Sequence, residues 1–450
     1  MKFNELNIIE RIQKSLTLSG YSEPTPIQVD AIPILLEGKD LLASAQTGTG
    51  KTAAFAIPIL QKIYETKDHK TSRKIQSLIL TPTRELALQI YENFKAYARY
   101  LNIISTTIYG GVSQKRQEDA LRRGVDVVIA TPGRLLDLMN QGIISLSDVK
   151  YLVLDEADQM LDMGFIKDVL KIVDKTPKNR QTMLFSATMP KQIEALSKQI
   201  LIEPVRIAVT PVTETLDTIS QSVYVVNKSN KTQLLIELIK TLNMKSVLVF
   251  TRTKHGANKL VKNLMQLNIQ SEPIHGSKSQ AARERALLNF KTGKTKILVA
   301  TDIAARGIDI EALDYVVNFD LPEVPETYIH RIGRTGRAGL TGMAISLVDP
   351  ETMKLLIQIE KHMHSKIQVI DHQYSVDIAK QKPVHLVKTE KKQPVSKRKS
   401  YQDLPDHMKF KGHKPKSKKK KKDDKTFVEY QKKTNPYYQT KKSKKNKLNK

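Results

Sequence analysis

The chain has 450 residues, 40% of them apolar and none of them cysteine, which predicts about two to four domains with real cores and excludes disulfide frameworks and thiolate sites. The net charge is +28, and residues 371–450 hold 26 Lys and Arg against 8 Asp and Glu, so we expect a polyanionic partner such as nucleic acid. No stretch is long enough to span a membrane and Met1–Glu5 lack a signal peptide's apolar run, so we expect no membrane partner and a cytoplasmic location.

The first half of the chain alternates short apolar runs with longer helical patterns. Runs that are apolar throughout are typical of strands buried on both faces, as in a parallel sheet covered by helices. The predicted strands are Asp40–Ala45, Ile75–Leu80, Ser105–Tyr109, Asp126–Ala130, Tyr151–Leu154 and Thr182–Ser186. The predicted helices include Ala53–Tyr64, with Pro58 as a kink, Arg84–Ala98, Ser113–Arg122 and Gly164–Val173.

A glycine-rich turn lies between the first predicted strand and the first helix. Its residues are Ala45, Gln46, Thr47, Gly48, Thr49, Gly50, Lys51 and Thr52. Backbone N–H groups of such a turn converge on a phosphate, Lys51 supplies a cation for the β- and γ-phosphates, and the Thr52 hydroxyl suits Mg²⁺. Ala45 replaces the usual first glycine, and the alternative is a flexible turn before a helix. The strand–turn–helix context favours phosphate binding.

Two adjacent carboxylates, Asp155 and Glu156, end the fifth predicted strand. They stand at the sheet edge where open α/β folds bind ligands. Asp155 can hold Mg²⁺ through water opposite Thr52, and Glu156 can activate the attacking water. An Asp-Glu pair at a strand end is often only a helix cap, but the upstream phosphate turn favours ATP hydrolysis.

The second half repeats the architecture without repeating the sequence. Its predicted strands are Ser222–Val226, Ser246–Phe250, Ser271–His275, Lys296–Ala300, Tyr315–Asn318 and Met343–Leu347. Its predicted helices include Thr232–Leu242, His255–Leu267 and Gln280–Phe290. Polar and β-branched residues interrupt the pattern at residues 209–218, which we predict to be a linker between two α/β domains.

The C-terminal region after about Ile370 loses periodicity, and residues 416–425 are nearly all lysine and aspartate. Such a segment cannot bury enough apolar surface to offset its ordering entropy, so we predict a disordered, lysine-rich tail. The tail is either an electrostatic RNA tether or a solubility device. The basic body of the chain favours the first interpretation.

The sequence Asp155-Glu156-Ala157-Asp158 is the one that names the DEAD-box RNA helicases, and the chain resembles that family from Phe3 to about Val369. The resemblance implies two tandem RecA-like parallel-sheet domains. It divides the chain into an adenine-reading Q-motif segment (1–30), an ATP-binding domain (31–208), the linker (209–218), a second domain (219–370) and the tail (371–450). Within the family, residues 250–260 and 274–280 most resemble the bacterial RhlE-type helicases.

The resemblance also implies how the first domain binds ATP. Gly20–Gln28 resembles the family's adenine-reading stretch, in which the Gln28 amide pairs with the adenine edge. Tyr21 and Phe3 offer faces for the base, although Phe3 is equally compatible with a packing staple onto the first domain.

Further expectations concern the second domain's share of the ATP site. By resemblance, Gly307 and Asp309 contact the nucleotide, with Asp309 at the ribose hydroxyls. Arg334 and Arg337 resemble arginine fingers that complete the site across the domain cleft. Such fingers contribute ~10³–10⁵ in rate at related sites, and the alternative is a solvated basic loop.

RNA contact and coupling are assigned by resemblance as well. Residues expected to contact RNA are Pro82, Arg84, Gly110, Gly111, Thr131, Pro132, Gly133, Arg134, Arg252, Gly276, Gln280, Arg283, Thr301 and Arg306. Residues expected to couple hydrolysis to RNA binding are Ser186, Thr188, Asp158 and His330. The two hydroxyls of Ser186 and Thr188 can bridge the carboxylates of Asp155 and Asp158. Read singly, each stretch is also compatible with an ordinary turn or helix cap.

The sequence therefore predicts an ATP- and Mg²⁺-dependent RNA helicase that closes two domains on single-stranded RNA or a short duplex. We expect recognition of the RNA backbone and free movement of two domains joined only by the linker. An RNA clamp without unwinding, a DNA translocase and a metabolic P-loop kinase are the alternatives, in falling order. Ribosome assembly, RNA decay and cold adaptation stay open as roles, with ribosomal-precursor or decay complexes as partners, and so does the oligomeric state.

Overall fold

The computed structural model describes residues 2–45, 48–66, 72–208, 219–305, 313–336 and 342–375. All of them belong to one unit of the chain, Met1–Gln381. Within these residues, each half of the chain forms one parallel sheet of seven strands. The predicted linker and most of the predicted tail lie outside the described residues. No helix in the described ranges has the length and apolar character needed to cross a bilayer.

The first sheet has the strand order β3-β4-β2-β5-β6-β1-β7. Its strands are β1 (Leu41–Ser44), β2 (Ser77–Leu80), β3 (Ser105–Ile108), β4 (Val127–Ala130), β5 (Tyr151–Leu154), β6 (Gln181–Ser186) and β7 (Val205–Ala208). Successive side chains of β5 enter different cores, since Val153 packs in one cluster and Leu152 and Leu154 in another. Burial on both faces explains why the central strands read as unbroken apolar runs.

Helices cover both faces of the first sheet. They are α1 (Glu10–Leu18), α2 (Pro26–Leu36), α3 (Lys51–Thr66), α4 (Arg84–Tyr97), α5 (Gln114–Arg122), α6 (Pro132–Asn140), α7 (Ala157–Asp162), α8 (Ile166–Val173) and α9 (Lys191–Ile200), after a 3-10 turn at Phe3–Leu6. Pro26 is the first residue of α2, where a backbone N–H would have no partner within the helix, so proline is tolerated there. Pro58 lies inside α3, which continues through it to Thr66.

The second sheet has the strand order β10-β11-β9-β12-β13-β8-β14. Its strands are β8 (Ile219–Val225), β9 (Val247–Phe250), β10 (Ser271–Ile274), β11 (Ile297–Ala300), β12 (Tyr315–Asn318), β13 (Gly342–Val348) and β14 (Gln368–Val369). Its helices are α10 (Lys231–Thr241), α11 (Lys254–Gln266), α12 (Gln280–Lys291), α13 (Asp302–Ala305), α14 (Pro325–Ile332) and α15 (Met353–Met363), with a 3-10 turn at Pro350–Thr352. Val249 and its neighbours Leu248 and Phe250 again enter different cores.

The architecture confirms the predicted fold of two parallel-sheet α/β domains, and every predicted strand is present within one to three residues of its predicted ends. The sequence missed the two strands β7 and β14. In β7 partly buried and exposed residues alternate at a sheet edge, and β14 has only two residues, both exposed. Neither strand has the continuous apolar run on which the prediction relied.

Candidate ATP and RNA site

The candidate site lies where the strands of each parallel sheet end. Parallel strands bring their carboxyl ends to one edge, which is where ligands of such sheets bind. In the first sheet the glycine-rich turn follows β1, Asp155 follows β5, and Ser186 ends β6, which is paired in register with β1. The fold thus assembles residues far apart in sequence at one edge.

The phosphate turn requires glycine at two positions. Gly48 has φ +86° and Gly50 has φ +93°, and both values lie in the left-handed region that favours glycine. Lys51 begins α3 and is only 6% exposed, and its Nζ donates a 2.9 Å hydrogen bond to the Ala45 carbonyl. The ammonium is therefore already aimed back across the turn. Gln46 and Thr47 lie outside the described residues.

Gln28 connects the adenine-reading stretch to this turn. Its Oε1 accepts a 3.1 Å hydrogen bond from the Thr25 N–H, and its Nε2 donates one of 3.1 Å to the Gly50 carbonyl. A Cβ on Gly50 would also lie 2.7 Å from Thr25 Oγ1. The predicted pairing of Gln28 with adenine stays a prediction, but its side chain already touches the phosphate turn.

Phe3 packs onto the first domain, which was the alternative to its stacking on the base. It is 7% exposed and its ring meets the edge of Tyr21 at 6.3 Å between centroids. Tyr21 remains partly exposed, and its hydroxyl shares a 2.6 Å hydrogen bond with that of Tyr97. Phe3 is therefore part of the core here, and Tyr21 is the better placed of the two to face a base.

Asp155 and Glu156 are 2% and 3% exposed. Burial, assisted by the charge of Asp155, raises the pKa of Glu156 to about 7, while Lys51 and Arg334 oppose the shift. Burial also raises the pKa of Asp155, against the cation of Lys51. Glu156 has a positive φ of 54°, a strained conformation for a non-glycine residue. Two desolvated carboxyls beside a lysine form a site suited to acid–base chemistry.

Magnesium fits these residues by the chemistry of its donors. Mg²⁺ is usually held by one or two carboxylates together with waters and substrate phosphates, and Thr52 and Asp155 supply a hydroxyl and a carboxylate at this edge. The described residues contain no cluster of three His, Cys, Asp or Glu side chains that could hold an ion on their own. The set therefore suits a metal that arrives with a phosphate.

The predicted coupling residues are connected differently from our expectation. Asp158 Oδ2 accepts hydrogen bonds from the Thr188 N–H (2.9 Å) and hydroxyl (3.0 Å). Ser186 Oγ accepts from the Asp158 N–H and donates to the Thr188 carbonyl. The expected bridge from these hydroxyls to Asp155 is not observed among the described hydrogen bonds, because both hydroxyls are engaged at Asp158. The contacts still connect β6 to the start of α7.

The predicted RNA residues of the first domain gather at the same edge. Arg84 begins α4, whose N-cap Thr83 accepts a 3.3 Å bond from the Leu86 N–H. The Arg84 guanidinium packs against Gly111, where any Cβ would collide with it. Arg134, which is 17% exposed, lies 3.6 Å from Asp137 in α6. The remaining members are Pro82, Gly110, Thr131, Pro132 and Gly133, all in the loops or helix starts after β2, β3 and β4.

The second sheet presents its predicted RNA residues at the equivalent edge. Arg252 follows β9 and is exposed, Gly276 follows β10 and is exposed, and Thr301 follows β11 and is partly buried. The N-cap hydroxyls of Thr253 and Ser279 begin α11 and α12. Arg306, Gly307, Asp309 and Arg337 lie outside the described residues.

The two domains contact each other directly, so the expectation that only the linker joins them is corrected. Arg283 Nη2 lies 2.8 Å from Glu85 Oε1, and both side chains are less than a tenth exposed. Gln280 Nε2 lies 3.4 Å from the same oxygen and 3.1 Å from Glu284. Glu85 was missed as a site residue, although it stands next to Arg84, which was predicted to contact RNA. Gln280 and Arg283, predicted to bind RNA, here connect the domains.

Arg334 is 5% exposed, and its charge is among those that lower the pKa of Glu156 in the other domain. His330 lies partly buried on α14. Arg331, on the same helix, was not predicted as a site residue. It contacts both carboxylate oxygens of Asp302, at 2.6 and 2.8 Å, and its guanidinium lies 4.8 Å from the centre of the Phe250 ring. Arg331 thereby ties α14 to the ends of β9 and β11.

Comparison with known proteins agrees with this geometry. The family model for DEAD/DEAH box helicases matches residues 25–196, and the model for the helicase conserved C-terminal domain matches residues 230–339.

Among curated relatives, the RNA helicase CrhR of Synechocystis sp. is 46% identical over 368 residues, 82% of this chain and 74% of CrhR. The DEAD-box ATP-dependent RNA helicase RhpA of Helicobacter pylori is 42% identical over 369 residues, with the same coverages. The ATP-dependent RNA helicase DbpA of Bacillus subtilis is 41% identical over 408 residues, 91% of this chain and 84% of DbpA.

Among solved structures, Dbp5 of S. cerevisiae bound to RNA and ADP BeF3 superposes with a TM-score of 0.74 at 33% identity. It covers 82% of this chain and 95% of the Dbp5 chain.

Proposed function

The chain belongs to the DEAD-box family of ATP-dependent RNA helicases, enzymes that hydrolyse ATP, and from this premise we propose that its ATP site is shared between the two domains. Lys51 and Glu156 form the first half, and Arg334 supplies the second. The observation that carries the proposal is that Arg334, buried in the second domain, lowers the pKa of Glu156 in the first by its charge. Arg337 is expected to join it.

Each of these residues has its own role in ATP hydrolysis. Lys51 and the turn N–H groups hold the phosphates, and Glu156 orients and deprotonates the attacking water. Arg334 stabilises negative charge on the transferred phosphoryl group. Magnesium, held by Thr52 and Asp155 partly through water, would supply further charge neutralisation. The raised pKa of Glu156 suits a base that works near neutral pH.

RNA is proposed to lie across the carboxyl edges of both sheets. Arg84, Arg134 and Arg252 offer cations, Gly111 makes room for the Arg84 guanidinium, and open space beside Gly276 lets a backbone approach closely. Contacts of this type recognise phosphates and 2′-hydroxyls and tolerate any sequence. Because closure brings both sets of residues together, ATP and RNA binding are reciprocally coupled.

We propose local separation of short duplexes as the outcome of closure, since a strand held across both domains excludes its partner. The basic tail in residues 371–450 would tether the enzyme to structured RNA and raise its effective concentration there. Ribosomal-precursor and RNA-decay complexes are the partners in which this activity fits, and cross-linking to cellular RNA followed by sequencing would decide between them.

The test is Glu156→Gln, with Asp148→Asn, an exposed carboxylate of the same domain, as the matched control. The glutamine retains the shape but cannot take the proton, so ATP and RNA should still bind while RNA-stimulated turnover stops. Phosphate release and RNA affinity are measured side by side. Near-normal ATP hydrolysis by Glu156→Gln would exclude Glu156 as the base that deprotonates the attacking water.

A further inference from the structure

We propose that the RNA site continues past Gly111 along a surface between β3 and α5, so that the backbone of a longer RNA strand follows this helix. We call this surface the α5 track and define it by Thr107, Ser113, Arg116, Arg122 and Arg123. The inference rests on the proposed function and extends it to residues outside the predicted RNA set.

Two adjoining cavities give the α5 track its shape. The first, of about 220 Å³, is lined by Thr107, Val112, Ser113 and Arg116 among others. It begins one residue beyond Gly111, against which Arg84 packs. The second, of about 550 Å³, is lined by Arg116, Asp119, Arg122 and Arg123. Arg116 lines both cavities, so they adjoin at its side chain, and the first lies next to the predicted RNA residues.

The guanidinium groups of the α5 track remain available for an anion. Arg116 is exposed and makes no ion pair within the described ranges. Arg122 is 73% exposed and reaches Glu118 and Asp119 only at 3.6 and 3.5 Å, and such exposed pairs contribute little. Arg123 Nε donates to the Asp119 carbonyl of its own helix. From residue 116 to 123 the helix rises about 10 Å, which lengthens the contact with a strand.

The chemistry of the lining favours the RNA backbone. β3 is an edge strand whose Thr106 and Thr107 are partly exposed, and hydroxyls with guanidinium groups are the donors that proteins use toward phosphate and ribose. Tyr109, an aromatic residue of the lining, is 9% exposed and offers little face for stacking a base. We therefore expect contacts that are independent of sequence and dependent on RNA length.

The test compares RNAs of about 6 and about 24 nucleotides, one near the lower end of the about 4–16 nucleotides of a single-strand site and one well beyond it. The variant combines Arg116→Gln, Arg122→Gln and Arg123→Gln in the full chain. Losing three phosphate contacts should weaken binding of the longer RNA roughly tenfold at 0.1 M salt and reduce the slope of log K against log salt by about 2. Binding of the shorter RNA, which ends before the α5 track, should match the wild type.

The matched control removes three exposed cations through Lys191→Gln, Lys198→Gln and Arg206→Gln. The two lysines lie on α9, and Arg206 lies on β7, the edge strand on the other side of the sheet from β3. A direct readout is available because the chain has no cysteine. A photo-crosslinker on Asp119→Cys, beside the second cavity, should capture the longer RNA only, and one on Lys198→Cys should capture neither.

Equal losses in the triple-arginine variant and the control, or an unchanged salt slope together with no cross-link at position 119, would overturn the α5 track while leaving the proposed function intact. Failure of the wild type to bind either RNA in the presence of ATP would overturn both.

Discussion

The ion pair between Glu85 and Arg283 provides a quantitative test of domain closure. The perturbation is Glu85→Gln, which preserves the size of the side chain and removes its charge. Both partners are less than a tenth exposed and their charged atoms are 2.8 Å apart. Burial also lowers the pKa of the Arg283 guanidinium, and the carboxylate of Glu85 is the main influence that opposes the shift.

The size of the effect follows from the loss of one partner of a buried pair. Removing one charge of such a pair costs about 3–5 kcal/mol because the other charge stays buried without compensation. When the domains separate, Arg283 regains water, so the cost falls on the closed form alone. About 3 kcal/mol corresponds to roughly a hundredfold loss in the closure equilibrium. RNA affinity in the presence of ATP should fall by the same factor.

The assay is fluorescence energy transfer between single cysteines introduced in each domain of this cysteine-free chain, read with saturating ATP and increasing RNA. Glu92→Gln, on the same helix but exposed and 3.9 Å from Lys95, is the matched control and should change nothing. A double-mutant cycle with Arg283→Gln isolates the pair. A coupling energy below about 0.5 kcal/mol would refute the reasoning.

Three further predictions concern the ATP site and the tail. Arg334→Ala should reduce RNA-stimulated ATP hydrolysis by ~10³–10⁵ while the first domain still binds ATP, and a rate within tenfold of the wild type would exclude the finger role. Because burial raises the pKa of Glu156 to about 7, the folded form favours the protonated acid, so its contribution to stability is lost as pH rises from about 4.5 to 7. In ligand-free protein, the free energy of unfolding of Glu156→Gln should therefore rise relative to that of the wild type between pH 5 and 8, by on the order of 1–3 kcal/mol. A difference between the two proteins that stays constant with pH would contradict the pKa shift. Deleting the residues after Ile370 should weaken RNA binding and flatten its salt dependence, whereas unchanged binding across salt would reduce the tail to a solubility device.

The two strands that sequence reasoning located with their exact bounds are both interior strands. Tyr151–Leu154 and Tyr315–Asn318 lie inside their sheets, and at least three of the four residues in each are buried. The edge strands Ser105–Ile108 and Ser271–Ile274 were still located to within one residue, whereas Val205–Ala208, in which partly buried and exposed residues alternate, was missed. Pro58, where a kink was predicted, lies inside a helix that continues to Thr66 within the buried packing of the first core, and the kink itself stays a prediction.

The site was predictable as a set of positions and less so as a set of contacts. Backbone patterns place Asp155, Ser186 and Arg334 at strand ends or helix ends, but they carry no information about which acceptor a hydroxyl chooses. The hydroxyls of Ser186 and Thr188 therefore contact Asp158 and, for Ser186, the Thr188 carbonyl, rather than Asp155. Glu85 and Arg331 act through partners distant in sequence, in the other domain or on another strand, and only the fold brings those partners together.

The separate cores of the two sheets have a consequence for the protein while it is being synthesised. Every strand of the first sheet is complete by Ala208, whereas Arg334 lies well over a hundred residues further along the chain. At roughly 5–20 residues per second, a ribosome needs about 6–25 s to cover that interval. During that time the nascent chain already carries the phosphate turn with Lys51 and Glu156 but lacks the arginine that makes hydrolysis fast. We expect the growing protein to bind ATP before it can hydrolyse ATP rapidly in response to RNA.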